Sequence, residues 1–204
     1  MKRLTVFLLA LIMLLGCAAC GAEEKTPETL SFESGIIDGS VYTSTLGGIS
    51  FTAPKGYEYF TDEMIEEAFG ITAETLDIDN VTSTVYDMYC YNEESRSSIS
   101  VSFENLAMTH GVDCTQEEYI DDCMTSYKIT FNSFEDVILQ AIEEATVNID
   151  GTEYPAIHMV LDNDGEVFYE SLLIKKVENY MMSCIIAAYS QEELENIISG
   201  ITEI

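Results

Sequence analysis

The stretch 144–190 constrains the fold more than any other. Four apolar-rich runs follow one another there: "EATVNIDG", "YPAIHMVLD", "EVFYESLLIKK" and "YMMSCIIAAYS". Only "IDGTEY", "DNDGE" and "VENY" turn the chain between them. Turns that short cannot carry a crossover, so successive strands must run antiparallel as a meander. The last two runs are nearly continuous in apolar residues, the pattern of strands covered on both faces.

The segments before the meander alternate between strand and helix signals. "SVYTSTLGGISFTAP" reads as a hairpin, with Gly47-Gly48 as the turn and Pro54 ending the second strand. "TDEMIEEAFG" predicts a short helix capped by Thr61, with Met64, Ile65, Ala68 and Phe69 as its buried stripe. "VTSTVYDMYCYN" and "SSISVSFEN" predict a second hairpin, in which strict alternation sets Tyr89 and Tyr91 on one face and Tyr86 on the other. "TQEEYIDDCMTSYK" is the clearest helix. Thr115 and Glu118 have capping-box spacing, and Tyr119, Ile120, Cys123, Met124 and Tyr127 recur at helical spacing. Residues 131–142 are ambiguous. A last helix has Ser190 and Glu193 at capping-box spacing and an apolar stripe of Leu194, Ile197, Ile198 and Ile201.

This order gives an α/β (α+β) chain, an antiparallel sheet flanked by helices on both faces. With "GGISFTAPKGYEY", "TQEEYIDD", "TVNIDGTEY" and the ending "YMMSCIIAAYSQEELENIISGI", the stretch 41–204 resembles the PsbP-like α/β/α sandwich. That fold is shared by a photosystem II extrinsic subunit, a Ran-binding nuclear-import factor and many lipid-anchored proteins of Gram-positive bacteria. The resemblance implies a binding or assembly module without a shared active site.

The amino terminus predicts where such a module resides. "MKRLTVFLLALIMLLG", residues 1–16, has a short basic start and an apolar run over 4–15, the layout of a signal peptide. The run is too short to span a bilayer as a helix. It ends in Leu14-Leu15-Gly16-Cys17, which resembles the bacterial lipobox and makes Cys17 the expected lipidated residue. Cys20 fits less well, because Cys17 occupies its −3 position. A redox C-x-x-C would need a strand before it and a helix after it, and a zinc site would need a second ligand pair. Residues 17–40 then read as a lipidated start and a flexible acidic linker, and 41–204 as a single domain. The expected location is the extracytoplasmic face of a bacterial cytoplasmic membrane, held by acyl chains.

Charge narrows the partners. The chain has 8 Lys plus Arg against 37 Asp plus Glu. Lys2 and Arg3 lie in the leader, so six basic side chains would remain. Such a surface repels nucleic-acid phosphates and anionic lipid headgroups. The expected partners are a basic protein or a weakly held divalent cation, with no nucleic acid, and the chain is expected to be a monomer.

Candidate chemistry is sparse. Beyond Cys17 and Cys20, the thiols Cys90, Cys114, Cys123 and Cys184 read as small buried hydrophobes, with disulfide pairing as the alternative for an exported chain. His110, beside Asp113 and Cys114, suggests a Cys-His pair, but no oxyanion signature lies near it. His158 reads as an ordinary strand residue. "LDNDGE" hints at a calcium loop, yet Val160 and Ser171 stand where its end carboxylates are needed; a hairpin turn explains Asp162, Asp164 and Gly165 as well. Asp77 and Asp79 form a second weak cation candidate. No catalytic residue, metal site or cofactor is expected. The function expected is therefore a non-catalytic binding or assembly module. A cell-envelope hydrolase acting through carboxylates is the alternative, and a plain spacer the third possibility.

Overall fold

A computed structural model describes residues 32–69, 84–134 and 137–204 of the chain. The proposed lipidation site Cys17, Cys20 and the Asp77/Asp79 pair lie outside these residues.

Turn chemistry builds the main sheet. Asp150-Gly151 and Asp164-Gly165 both take positive φ, which suits the tight hairpin turns expected there. They link β7 (Val137–Ile149), β8 (Thr152–Asn163) and β9 (Glu166–Val177), and a third turn leads to β10 (Tyr180–Ala188). The four strands pair consecutively and antiparallel, as the short turns require. The hairpin β5 (Thr84–Asn92) and β6 (Ser97–Asn105) joins beside β10, and β4 (Glu58–Tyr59) closes that edge. The order of this seven-stranded sheet is β4-β5-β6-β10-β9-β8-β7.

A second, four-stranded sheet is built around the expected Gly47-Gly48 hairpin. It holds β1 (Ile36–Asp38), β2 (Val41–Ser44), β3 (Ile49–Thr52) and β11 (Ile201–Glu203), in the order β1-β2-β3-β11. Gly48, at φ +67, turns the β2–β3 hairpin as expected. Ile201 thus belongs to a strand paired with Phe51, not to the last helix. Paired structure also begins ahead of residue 41: Ile36 sits opposite Thr43, and Phe32 packs edge-on against Phe103 and Tyr180.

The helices are α1 (Asp62–Phe69), α2 (Gln116–Phe131) and α3 (Gln191–Ile198). Strand alternation sorts the interior into two clusters. The first takes Ile157, Met159, Leu172 and Ile185 from the large sheet, Ile65 from α1, and Tyr119, Ile120, Cys123, Tyr127 and Phe131 from α2. The second takes Val101, Phe103, Leu173, Cys184 and Ile186 from the large sheet, Tyr42, Ile49, Phe51 and Ile201 from the small one, and Ile197 from α3.

Other differences from the expected pattern have local causes. Of the α1 stripe, Ile65 is buried while Met64 is 44% exposed. The ambiguous stretch resolves into the end of α2 and the start of β7. The Ser190 hydroxyl accepts the Glu193 N–H, but the Glu193 carboxylate accepts a hydrogen bond from the Tyr57 hydroxyl at 2.6 Å instead of completing the box. Tyr86 does not lie opposite Tyr89. The β5–β6 register shifts between Tyr86 and Met88, so a bulge at Asp87 reverses the alternation and brings both tyrosines into the first cluster. The Asp87 carboxylate accepts the Gly35 N–H at 2.9 Å and the Tyr42 hydroxyl at 2.5 Å, holding the entering chain against the sheet. A Cβ at Gly35 would overlap the Tyr42 ring, so only glycine permits that approach.

Candidate functional site

A buried polar cluster lies where β6 ends and α2 begins. Ile99, Val101 and Phe103 of β6 face the second cluster. Alternation therefore turns Ser98, Ser100, Ser102 and Glu104 toward the first, and all four are buried. Glu104, 4% exposed, accepts a hydrogen bond from the Tyr119 hydroxyl at 2.6 Å. His110 Nδ1 lies 3.1 Å from its other oxygen, and His110 Nε2 lies 3.7 Å from an Asp122 carboxylate oxygen. The His110 ring also packs against Tyr119, with centroids 5.1 Å apart.

Each partner is held by its own element. The capping box expected at Thr115 is present in both halves and fixes the first turn of α2. On that helix Tyr119 packs against the imidazole and Asp122 lies near its Nε2. Lys176 Nζ donates to the carbonyls of Val112 and Cys114, at 2.8 and 2.7 Å, and pins the loop before the helix to β9. His110, Asp113, Cys114, Glu118, Asp121 and Asp122 line a cavity of about 480 Å³ above this cluster.

The electrostatics follow from burial and partners. Burial pushes the Glu104 carboxyl up, but hydrogen bonds from His110, Thr109 and Tyr119 outweigh it and hold it below the ordinary value. Burial, with Glu118 and Asp122 nearby, pushes the Cys114 thiol up. Cys114 is thus a thiol at neutral pH, and its Sγ donates to the Thr115 carbonyl, not to His110. The Cys-His pair considered from sequence shares a cavity but forms no nucleophile–base contact.

Other sequence candidates disperse. Cys90, Cys114, Cys123 and Cys184 are all buried, as the small-hydrophobe reading expected. Asp162 accepts the Gly165 N–H at 2.7 Å within a hairpin turn, as the alternative to a calcium loop required. No three of His, Cys, Asp and Glu are placed to share a metal ion among the described residues.

Two further polar groups lie within the large sheet. His158 and Ser171 are cross-strand partners, with Glu143 next to His158 on β7. The row resembles a triad by composition only, because neither His158 Nε2 nor Ser171 Oγ finds a hydrogen-bond partner. Glu170 is 1% exposed, both its oxygens lack partners, and burial pushes its pKa up to about 8. A larger cavity of about 790 Å³ lies along Ile37, Ser40, Pro54, Lys55, Tyr57 and Tyr59. The Tyr59 hydroxyl there is already bonded to backbone carbonyls, and Lys55 supplies a cation, so it lacks the charge focus of the His110 cavity.

No protein-family model matches the chain, and no curated protein matches it. Solved structures similar to it include a cyanobacterial PsbP (CyanoP) from Synechocystis, at 12% identity and TM-score 0.47, covering 88% of this chain and 98% of that one. LpqN of Mycobacterium tuberculosis, described as involved in cell envelope biogenesis, is similar at 6% identity and TM-score 0.43, covering 76% of this chain and 82% of that one. A Bacteroides thetaiotaomicron protein matches at 12% identity and TM-score 0.43 over 82% of this chain; this chain spans only 49% of its length. A PsbP thus stands among the similar structures, as the resemblance read from sequence expected.

Proposed function

We propose that the protein is a lipid-anchored, extracytoplasmic, non-catalytic binding module whose acidic cavity at His110 receives a positively charged group of a protein partner. The observation that carries this reading is the cavity itself. Four exposed carboxylates, Asp113, Glu118, Asp121 and Asp122, line it together with an imidazole backed by a buried, ionised Glu104. The four carboxylates are exposed, so a cation entering there meets their summed negative charge through solvent, an attraction that salt screens.

Glu104 and Glu170 do not form an acid pair of the glycosidase kind. The two buried carboxylates share a sheet face, but Glu104 sits opposite Met181 and Glu170 opposite Ala187. Six residues of strand separate those positions, about 20 Å. Paired glycosidase carboxylates need roughly 5–10 Å. We take α1 and α2 as one layer and α3 with the small sheet as another, the α/β/α arrangement that the resemblance implies. No helix among the described residues is long and apolar enough to cross a membrane. Attachment is assigned to an acylated Cys17 on the strength of the lipobox-like Leu14-Leu15-Gly16-Cys17.

Calorimetric titration with acetyl-tri-lysine amide tests the cavity. Saturable binding that weakens at least tenfold in an Asp113→Asn/Asp121→Asn/Asp122→Asn variant supports it. Equal binding by the variant refutes it.

A further inference from the structure

The seven-stranded sheet ends on an unusual edge. At its other end stands β4, two residues long. The edges of the small sheet, β1 and β11, have three residues each. β7 has 13, and among the described residues it pairs with β8 alone. At strand rise that is about 44 Å of backbone with one side unpaired. Natural sheets blunt such edges with bulges, prolines, lysines or short strands. β7 has no Pro, Lys or Arg. Its one irregularity lies between Leu139 and Ala141, so 141–149 runs in unbroken register with β8. Ile138 near its start is 62% exposed. The only charged side chains on β7 are Glu143 and Glu144, both exposed and on opposite faces of the sheet.

We propose that the free edge of β7 receives an extended segment of a partner protein, added as an eighth strand, with basic side chains set against Glu143 and Glu144. Strand addition takes its affinity from backbone hydrogen bonds and its selectivity from side chains that alternate across the edge. The charges select the occupant. A second copy of this chain, paired antiparallel about the strand's midpoint, would set Glu143 beside Glu143, and like charges directly opposite destabilise. The chain's own linker carries Glu23, Glu24 and Glu28 against Lys25 and is repelled in the same way. A basic strand satisfies both faces at once. The inference rests on the binding-module reading for the sign of the partner's charge, but it uses a separate surface.

The test uses the full chain in detergent and the peptide Thr-Thr-Thr-Lys-Lys-Thr-Thr-Thr with blocked ends, whose adjacent lysines point to opposite faces of the sheet. Backbone hydrogen exchange of 141–149 and the ring resonances of His110 are followed in the same samples. The expected result is at least tenfold slower exchange at every second β7 amide. A peptide interrupted by Pro should give no protection, and a Glu143→Lys/Glu144→Lys variant should bind at least tenfold more weakly. Unchanged β7 exchange at saturating peptide overturns the inference, as does equal binding by the charge-reversed variant. Movement at His110 without β7 protection sinks the edge and leaves the cavity reading standing; the reverse sinks only the cavity. A dimer with β7 protected before any peptide is added would make a second copy the occupant, against the proposal.

Discussion

Glu104 and Glu170 lie on the same sheet face, yet they respond to pH with opposite signs. Hydrogen bonds hold the Glu104 carboxyl below its ordinary value. Its contribution is therefore present above the unfolded-chain pKa of about 4.5 and is lost as pH falls through the lower folded value. Glu104→Gln should cost about 1–3 kcal/mol near neutrality and flatten the acid limb of a urea-denaturation series. Glu170 is the reverse case. Its folded pKa near 8 lies above the unfolded one, so the folded state holds a proton that the unfolded chain releases. Stability should fall by about 1.4 kcal/mol per pH unit from the ordinary glutamate range up to about 8, then level off. Glu170→Gln should abolish that slope, and a slope that persists in the variant would contradict the assignment. The sequence made neither group visible. A glutamate at an inward strand position looks like one at an outward position until the register is known.

Among the elements, two helix starts with one sequence signature behave differently. At Thr115 both halves of the capping box form, so Thr115→Ala should cost about 1 kcal/mol. At Ser190 only the hydroxyl caps, and the Glu193 carboxylate instead ties α3 to Tyr57, 136 positions earlier in the chain. Tyr57→Phe should destabilise the protein while leaving the helix content of α3 unchanged by circular dichroism. A loss of helix would mean that Glu193 serves the cap after all. The elements legible in the sequence were those defined by local signals: the meander turns, the Gly47-Gly48 hairpin and the α2 cap. The small sheet was not, because β11 pairs with β3 across some 150 residues and three residues carry no periodicity. The Tyr86 assignment failed for a related reason. One bulge residue, Asp87, reverses every later face, and its partners Gly35 and Tyr42 are remote in sequence. The site was half legible. His110, Asp113 and Cys114 stood out as neighbours, whereas Glu104 and Asp122 reach them only through the β6–α2 packing.

For the whole molecule, charge and attachment act together. A chain with 37 acids and 8 bases is repelled by anionic surfaces, and the proposed lipid at Cys17 supplies the membrane attachment that its surface cannot. Cys17→Ala should move the protein from the membrane to the soluble fraction after cell fractionation, while Cys20→Ala should not. Retention of the Cys17 variant would relocate the anchor. The central claim, that the acidic cavity is where a cation is received, is tested most directly at the imidazole inside it. The chain has two histidines, so ¹H–¹⁵N spectra of the side chains resolve His110 against His158 as an internal reference. On addition of acetyl-tri-lysine amide the His110 resonances should shift and saturate while those of His158 stay fixed. Fixed His110 resonances under conditions where calorimetry records binding would place the cation elsewhere and contradict it.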